Sequence, residues 1–571
     1  MSIAYRFNLN LRAMTSGPAL WGKVVNLLVL WRQMLFLLVL GFGLIACSDN
    51  SANSNAASPA ANDLELSSSK VYLSEVNSQY SVSAVYVDGS GVAYIEQPEI
   101  LWQSSDANVV TVNSAGVITA IGMGEAKVQV SANGINKAID VIVSANVGTV
   151  SGQLRYEDRE YDGGGFNIKS NYFKAIRFAK VDLMSAEGQV LQTTYSDEQG
   201  NFSFSGIFNS QQTISVYSIT NSNAGLNLQV QDRSGYLYAA TATIDLNNTG
   251  MQINVPLSSP AAGAFNVLDV LTSAAQFTLN YTSLNLVSLT AFWENNNFDG
   301  TYYCNGYDSY YCKQGQGIYV YNETGGDTDE FDDDVLYHEF GHFFMDTLSR
   351  DDSLGGCHLL SSKDLDLRLA WSEGVGDFFP AAVKYWLSLD TNRAQLLSSA
   401  AGVSSTAYID TYRTSAQISI ALNALDTSRY STAANELAIA KILYDLYLQH
   451  GMPSLVQVFS QYFPGVSTPV NLEAFWDGWA QVHNPAETDL ANLRNIFNAR
   501  QVFYQDDQYE DDDLLTLTRA PITKNVNESH YLYKPAGTGV DVDVVPFTVT
   551  AGLQYTIKTL NLSGGTDTYI N

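Results

Sequence analysis

"DTDEFDDDVLYHEFGHFFMDTLSR", residues 327–350, decides how this chain reads. It holds His338 and His342, two of only six histidines in 571 residues, with Glu339 between them. Six acidic residues crowd the eight positions from Asp327 to Asp334 just ahead. On an α-helix, residues four apart share a face and are separated by about 6 Å of rise. Two imidazoles can therefore aim at one metal ion, at the roughly 2.0–2.1 Å that Zn2+–N bonds require. Glu339 stands about 100° round the helix, beside the ion and off its coordination axis. A base placed there can take a proton from metal-bound water. The flanking Val335, Leu336, Tyr337, Phe343 and Phe344 give the helix a buried face, where two histidines without a ligand would be costly. One of Asp332, Asp333 or Asp334 is expected to cap the helix, negative charge meeting its dipole. Asp327, Asp329 and Glu330 are the oxygen-rich alternative, a Ca2+ site without a complete loop motif.

Two histidines leave a metal one ligand short. Thirty-one residues after His342 comes "LAWSEGVGDFF" (369–379), helical in pattern, with Glu373 and Asp377 four apart. This resembles the Glu-x-x-x-Asp helix of gluzincin peptidases such as the thermolysin and fungalysin groups. The resemblance implies that Glu373 is the third zinc ligand. It implies that Asp377 accepts a hydrogen bond from a ligand imidazole, that of His338, fixing its tautomer. The Gly-x-x-His extension of metzincins is absent, and His358 in "GGCHLL" is the alternative to Glu373 as third ligand. The strand "QGIYVYNE" (316–323) is expected at the cleft edge, holding an extended substrate by main-chain hydrogen bonds. Thermolysin-like enzymes also use a His or Tyr donor to the oxyanion. "SRYSTAANELAIAKILYDLY" (428–447) resembles the fungalysin Gly-Glu-x-x-Ala helix only through Glu436 and its Ala-rich texture. Asn435 stands at the Gly, Ile439 at the Ala, and no His precedes them. Tyr430 is the candidate donor and His450 the reserve.

The bulk numbers bound the rest. A chain this long exceeds one core, so about three to five domains are expected. Hydrophobic residues make up 46% and charged ones 15%, with 34 Tyr and 42 Gly, a balance that suits Tyr-rich β domains joined by short turns. Acidic residues outnumber basic ones 58 to 29, for a net charge of −29. Such a surface repels phosphate backbones, which argues against nucleic acid as a partner.

Near the N-terminus, Arg32 precedes an apolar run from Met34 to Ala46, then Cys47. The run is too short to span a bilayer but fits a signal-peptide core. The ending "LIAC" resembles a bacterial lipobox, which implies that Cys47 becomes the lipidated first residue of the mature protein. Ser48 behind it implies sorting to the outer membrane, surface-exposed or facing the periplasm. The alternative is a spanning anchor joined to "VVNLLVLW", which Arg32 and Gln33 interrupt. The first 33 residues exceed a usual leader, so Met14 is the expected start. With Cys47 lipidated, Cys304 and Cys312 in "CNGYDSYYC" can close a short disulfide loop in an exported protein. Cys357 is left over, and its pairing with either of them stays open.

Residues 1–46 thus read as a lipoprotein signal peptide and 47–62 as a flexible tether. From 63 to 145, "LWQSSDANVVTVNSAGVITAIGMGEAKVQV" resembles the group-2 bacterial Ig-like domain, Trp102 packing in its sandwich. Residues 146–258 resemble the carboxypeptidase-regulatory-like sandwich through Asp197, Gly200 and Phe202. Strands followed by helices over 259–500 describe one α+β domain, which the gluzincin resemblance implies is a zincin-type catalytic domain. Residues 501–571 resemble the pre-peptidase C-terminal β-sandwich. The chain stops inside the last strand of that pattern, so continuation past Asn571 is expected. The fold class expected is multidomain: two N-terminal β-sandwiches, the α+β domain and an incomplete C-terminal β-sandwich. The function implied is zinc-dependent hydrolysis of extracellular or periplasmic proteins and peptides by a membrane-tethered enzyme. The competing reading is a cell-surface adhesin, or a glycan- or protein-binding lipoprotein, with an inactive zincin domain.

Overall fold

The computed structural model describes residues 62–504 apart from 88–93, 95, 163, 168–171, 222–224, 247–249, 283–286, 298–299, 307–311, 324–327, 399–403, 413–414 and 468, together with 548 and 550. The signal peptide, the tether with Cys47, Asp327 and nearly all of the C-terminal sandwich lie outside the described residues. Among the described residues no helix is long and apolar enough to cross a membrane.

Residues 63–143 build a β-sandwich. Gly124–Ala132 alternates strictly, burying Ala126, Val128, Val130 and Ala132, the period-two pattern of a strand with one wet face. It pairs with Ile135–Val143 so that Val128 faces Ile139. The two-residue loop Asn133–Gly134 has φ of 48° and 84°, as the right-handed twist of a tight hairpin demands. Lys70–Leu73 and Leu101–Ser104 complete a four-stranded sheet. A three-stranded sheet of Gln79–Ser81, Val117–Ala120 and Val110–Val112 shares its core. Trp102 is half-buried against that core, over Gly116, where a Cβ would come within 2.9 Å of the indole.

From residue 150 onward a single hydrophobic core runs to Val502. The boundary expected at 258 does not divide it. One eight-stranded sheet runs Val190–Tyr195, Ala179–Met184, Thr213–Thr220, Leu228–Gln231, Leu289–Trp293, Gly317–Val320 and Tyr302–Cys304, with Ala239–Thr243 also on Thr213–Thr220. Leu228–Gln231 pairs in parallel with Leu289–Trp293 across the expected boundary. The reason lies in charge as well as in backbone pairing. Buried Arg177 bonds the Asp269 side chain and its carbonyl, the latter at 3.0 Å. Buried Lys174 lies 3.2 Å from Asp158 and 4.0 Å from Asp333. Removing either partner would leave a charge stranded in the core.

Five long helices pack into the same core: α1 (Pro260–Tyr281), α2 (Asp333–Leu348), α3 (Leu367–Ser388), α4 (Glu436–His450) and α5 (Leu472–His483), of which α2, α3 and α4 carry the site. Their starts follow side-chain capping. Ser259, Asp366, Asn435 and Asn471 each accept a hydrogen bond from a backbone N–H in the first turn of α1, α3, α4 and α5. The capping expected for α2 is not made. Asp332 sits at its N-cap but turns its carboxylate to Thr411 N and Oγ1. Asp333 faces Lys174 and Ser398, and Asp334 faces Lys384 at 2.6 Å. These acids are buried ion-pair and hydrogen-bond partners, and Asp333 and Asp334 still lie on the positive end of the helix dipole. Close contact between α2 and α3 needs glycines. A Cβ on Gly341 would meet Gly376 Cα at 3.1 Å.

The strand Gly317–Val320 is not an edge. It is buried at every residue and paired on both sides, by Leu289–Trp293 and by Tyr302–Cys304. The edge belongs to Tyr302–Cys304.

Candidate metal centre

Helix α2 presents His338 and His342 on one face, as their spacing requires, with Nε2 atoms 3.2 Å apart. Helix α3 crosses it and brings Glu373 Oε2 to 3.2 Å from His338 Nε2 and 3.7 Å from His342 Nε2. A tetrahedral ion with bonds near 2.05 Å has ligand atoms about 3.4 Å apart. The three donors therefore fit such an ion in both distance and chemistry, two nitrogens and one carboxylate oxygen.

Each imidazole is oriented from behind. His338 Nδ1 donates to Asp377 Oδ1 at 3.1 Å, which leaves Nε2 bare toward Glu373. His342 Nδ1 donates to Ser372 Oγ at 3.3 Å, and Ser372 donates to Asp351 Oδ2 at 2.5 Å. Such hydrogen bonds fix the tautomer and raise ligand basicity. Gly376 lets the ring lie against α3. A Cβ there would fall 2.7 Å from His338 Nε2 and Cε1. Burial opposes charge on His338, yet the hydrogen bonds to Asp377 and Glu373 outweigh it and push the imidazole up to about 10. On Glu373 burial acts upward, and the His338 and His342 hydrogen bonds overcome it to hold the carboxyl well below the usual range. Both shifts mark the pocket as one that favours positive charge.

Glu339 is buried on α2, and its Oε2 accepts a hydrogen bond from Tyr303 N at 2.6 Å. The edge strand thus fixes the carboxylate from its main chain. Tyr303 in turn donates its hydroxyl to Asp346 Oδ2 at 2.7 Å. Cys304, next in the strand, is disulfide-bonded to Cys312, and Cys357 is a free, exposed thiol.

Tyr430 is buried in the core with Arg429 5.2 Å over its ring. His450 ends α4, about 21 Å of helix rise from Glu436, with its ring 5.1 Å from that of Trp479. Tyr408 lies edge-on to His338 with ring centroids 6.2 Å apart. Burial, then the charges of Asp410 and Asp377, push its hydroxyl well above the ordinary tyrosine range, so it stays protonated. Nothing in "STAYIDTY" marks it among 34 tyrosines.

His358 also reaches the cluster. Its Nε2 lies 3.4 Å from Glu373 Oε2 and 3.5 Å from Glu436 Oε2. Helix α4 starts at Glu436, and burial, then the charges of Asp377 and Glu373, push that carboxyl up to about 9. A separate acidic trio lies under the start of α2. Asp329, Asp332 and Asp410 are buried, with carboxylate oxygens within 4.8 Å of one another. Burial pushes Asp410 up to about 6, and burial with the Asp410 charge raises Asp332 well above the usual range. Of the residues read as a Ca2+ site, Asp329 belongs to this trio. Glu330 accepts from Asn322 at 3.1 Å instead.

No protein-family model matches the chain, and no curated protein matches it. Among solved structures, the chain is similar to the adhesin InvE of Yersinia pseudotuberculosis, at 12% identity over 32% of this chain and 59% of that one, with a TM-score of 0.10. It is similar to the S-layer protein rSbsC(31-844), at 15% identity over 32% and 27% with a TM-score of 0.12. It is also similar to Drosophila N-cadherin EC1-4, at 10% identity over 32% and 50% with a TM-score of 0.14. The chain spans less than two thirds of each of these. Likeness at this level fixes neither fold nor activity.

Proposed function

We propose that the chain is a zinc-dependent peptidase of the gluzincin kind, tethered to the outer membrane through Cys47 and acting on extracellular or periplasmic proteins. The observation that carries this reading is the convergence of His338, His342 and Glu373 at tetrahedral spacing, with Glu339 beside them. Bound zinc would polarise the scissile carbonyl and acidify a water molecule. The other roles belong to the chain. Glu339, its Oε2 held by Tyr303 N, takes the proton of that water and returns it to the leaving amine. Asp377 and the Ser372–Asp351 pair keep both imidazoles in the ligand tautomer. Tyr408 joins Tyr430 as a candidate oxyanion donor. The strand Tyr302–Cys304 replaces 316–323 as the edge that meets an extended substrate. Ca2+ is the second cofactor of this reading, placed at Asp329, Asp332 and Asp410.

Zinc content and casein hydrolysis, measured together on purified protein, test the assignment. Glu339→Gln should keep zinc near wild-type occupancy while the rate falls by about 10²–10⁴-fold. Glu373→Gln should lose both. A wild-type protein that holds zinc but cleaves nothing would leave the binding-lipoprotein reading in its place. Full zinc in Glu373→Gln would move the third ligand elsewhere.

A further inference from the structure

The carboxylate of Glu373 faces two sets of ligand atoms. One is the pair of α2 histidines. The other is His358 and Glu436, and the two sets share only Glu373. His358 Nδ1 donates to the Gly356 carbonyl at 3.1 Å. That fixes the tautomer whose bare Nε2 points at Glu373 and Glu436, 3.4 and 3.5 Å away. Metal-bound histidines are oriented by this kind of backbone hydrogen bond.

Glu436 supplies an independent observation. It is fully buried, at 0% exposure, and neither of its carboxylate oxygens has a hydrogen-bond partner. A buried carboxylate without donors is expensive, and proteins rarely leave one without a cation or a proton. It is held there by close packing, since Gly374, next to Glu373, leaves no room for a Cβ against Ile439 and the Glu436 carbonyl.

We propose that His358, Glu436 and Glu373 form a second divalent-cation site, with Glu373 bridging it to the His338/His342 site. One imidazole with two carboxylates suits Zn2+, Co2+ or Mn2+ better than a soft-metal or an all-oxygen site would. Carboxylate-bridged ion pairs of this type lie about 3.5–4 Å apart and share the work of holding a reacting oxygen. With one nitrogen ligand and a shared carboxylate, this site is the weaker of the two. The inference rests on the peptidase reading only through the shared Glu373.

The test is metal stoichiometry on the whole protein at saturating buffered Zn2+, repeated with Co2+ and followed by its absorption spectrum. Wild type should hold two ions. His358→Ala and the near-isosteric Glu436→Gln should each hold one, with the spectrum of the first site unchanged. His338→Ala with His342→Ala should also hold one, at the second site. A wild type that saturates at one ion, whether untouched or merely weakened by His358→Ala, overturns the proposal and leaves the peptidase reading standing. A single ion lost in His358→Ala but kept in the double histidine variant keeps this site and removes the first.

Discussion

Gly376→Ala should damage the metal centre without touching a ligand. The added methyl would sit 2.7 Å from His338 Nε2 and Cε1, where ordinary contact begins at 3.4 Å, a shortfall of about 0.7 Å. Metal sites tolerate displacements of about 0.2 Å, so the ring or the helix must move beyond what the ion accepts. Overpacking of this size costs about 1–3 kcal/mol. At about 1.4 kcal/mol per tenfold, zinc affinity should fall by roughly 5- to 150-fold. Replacing a helical glycine regains about 1 kcal/mol of backbone propensity, so the melting temperature of metal-free protein should change much less than the affinity. The control is Gly478→Ala in α5, where the methyl meets Tyr462 Cδ1 at 2.5 Å, away from the site. It should lower stability and leave zinc affinity alone. Competition against a chromogenic zinc chelator reads the affinity, and thermal melts read the stability. Wild-type zinc affinity in Gly376→Ala would refute the placement of His338 against α3.

The acidic trio should make stability depend on pH and cation together. Folded Asp410 titrates at about 6, above its unfolded value, so stability is present below pH 4 and lost as pH rises to about 6. The loss is on the order of 3 kcal/mol from that residue, and millimolar Ca2+ should restore it in thermal melts; a flat, Ca2+-independent profile would remove the site. Cys47→Ala should shift the protein from the detergent to the aqueous layer in phase partition. A variant that stays with the detergent would restore a spanning anchor.

The histidine pair of α2 was legible because its spacing is itself the geometry: residues four apart must share a face, and His338 and His342 do. Glu373 and Asp377 were legible through the resemblance of their helix to the gluzincin Glu-x-x-x-Asp pattern, and the fold brings both to His338. What could not be read is what other segments bring. Tyr303 acts through its backbone N–H, which no side chain advertises. Asp334 and Lys384 pair over 50 residues, and Asp333 finds Lys174 far upstream. A buried acid such as Glu436 or Asp410 looks in sequence like any surface acid. The edge strand was misplaced because an apolar run such as "GIYV" fits any strand, and only its partners reveal whether it lies inside. The β-sandwich of residues 63–143 read well because the strict alternation of its strands is a local signal.

The parallel pairing of Leu228–Gln231 with Leu289–Trp293 also orders events during synthesis. Strands from 179 to 231 leave the ribosome with their next neighbour still 61 residues away in sequence. Until it arrives, Leu228–Gln231 lacks one ladder partner, and an open apolar edge is a template for the wrong partner. Closing so distant a contact is slow. A chaperone that holds the nascent chain across this interval would shield that edge until its partner arrives. Truncation before residue 289 should give insoluble protein.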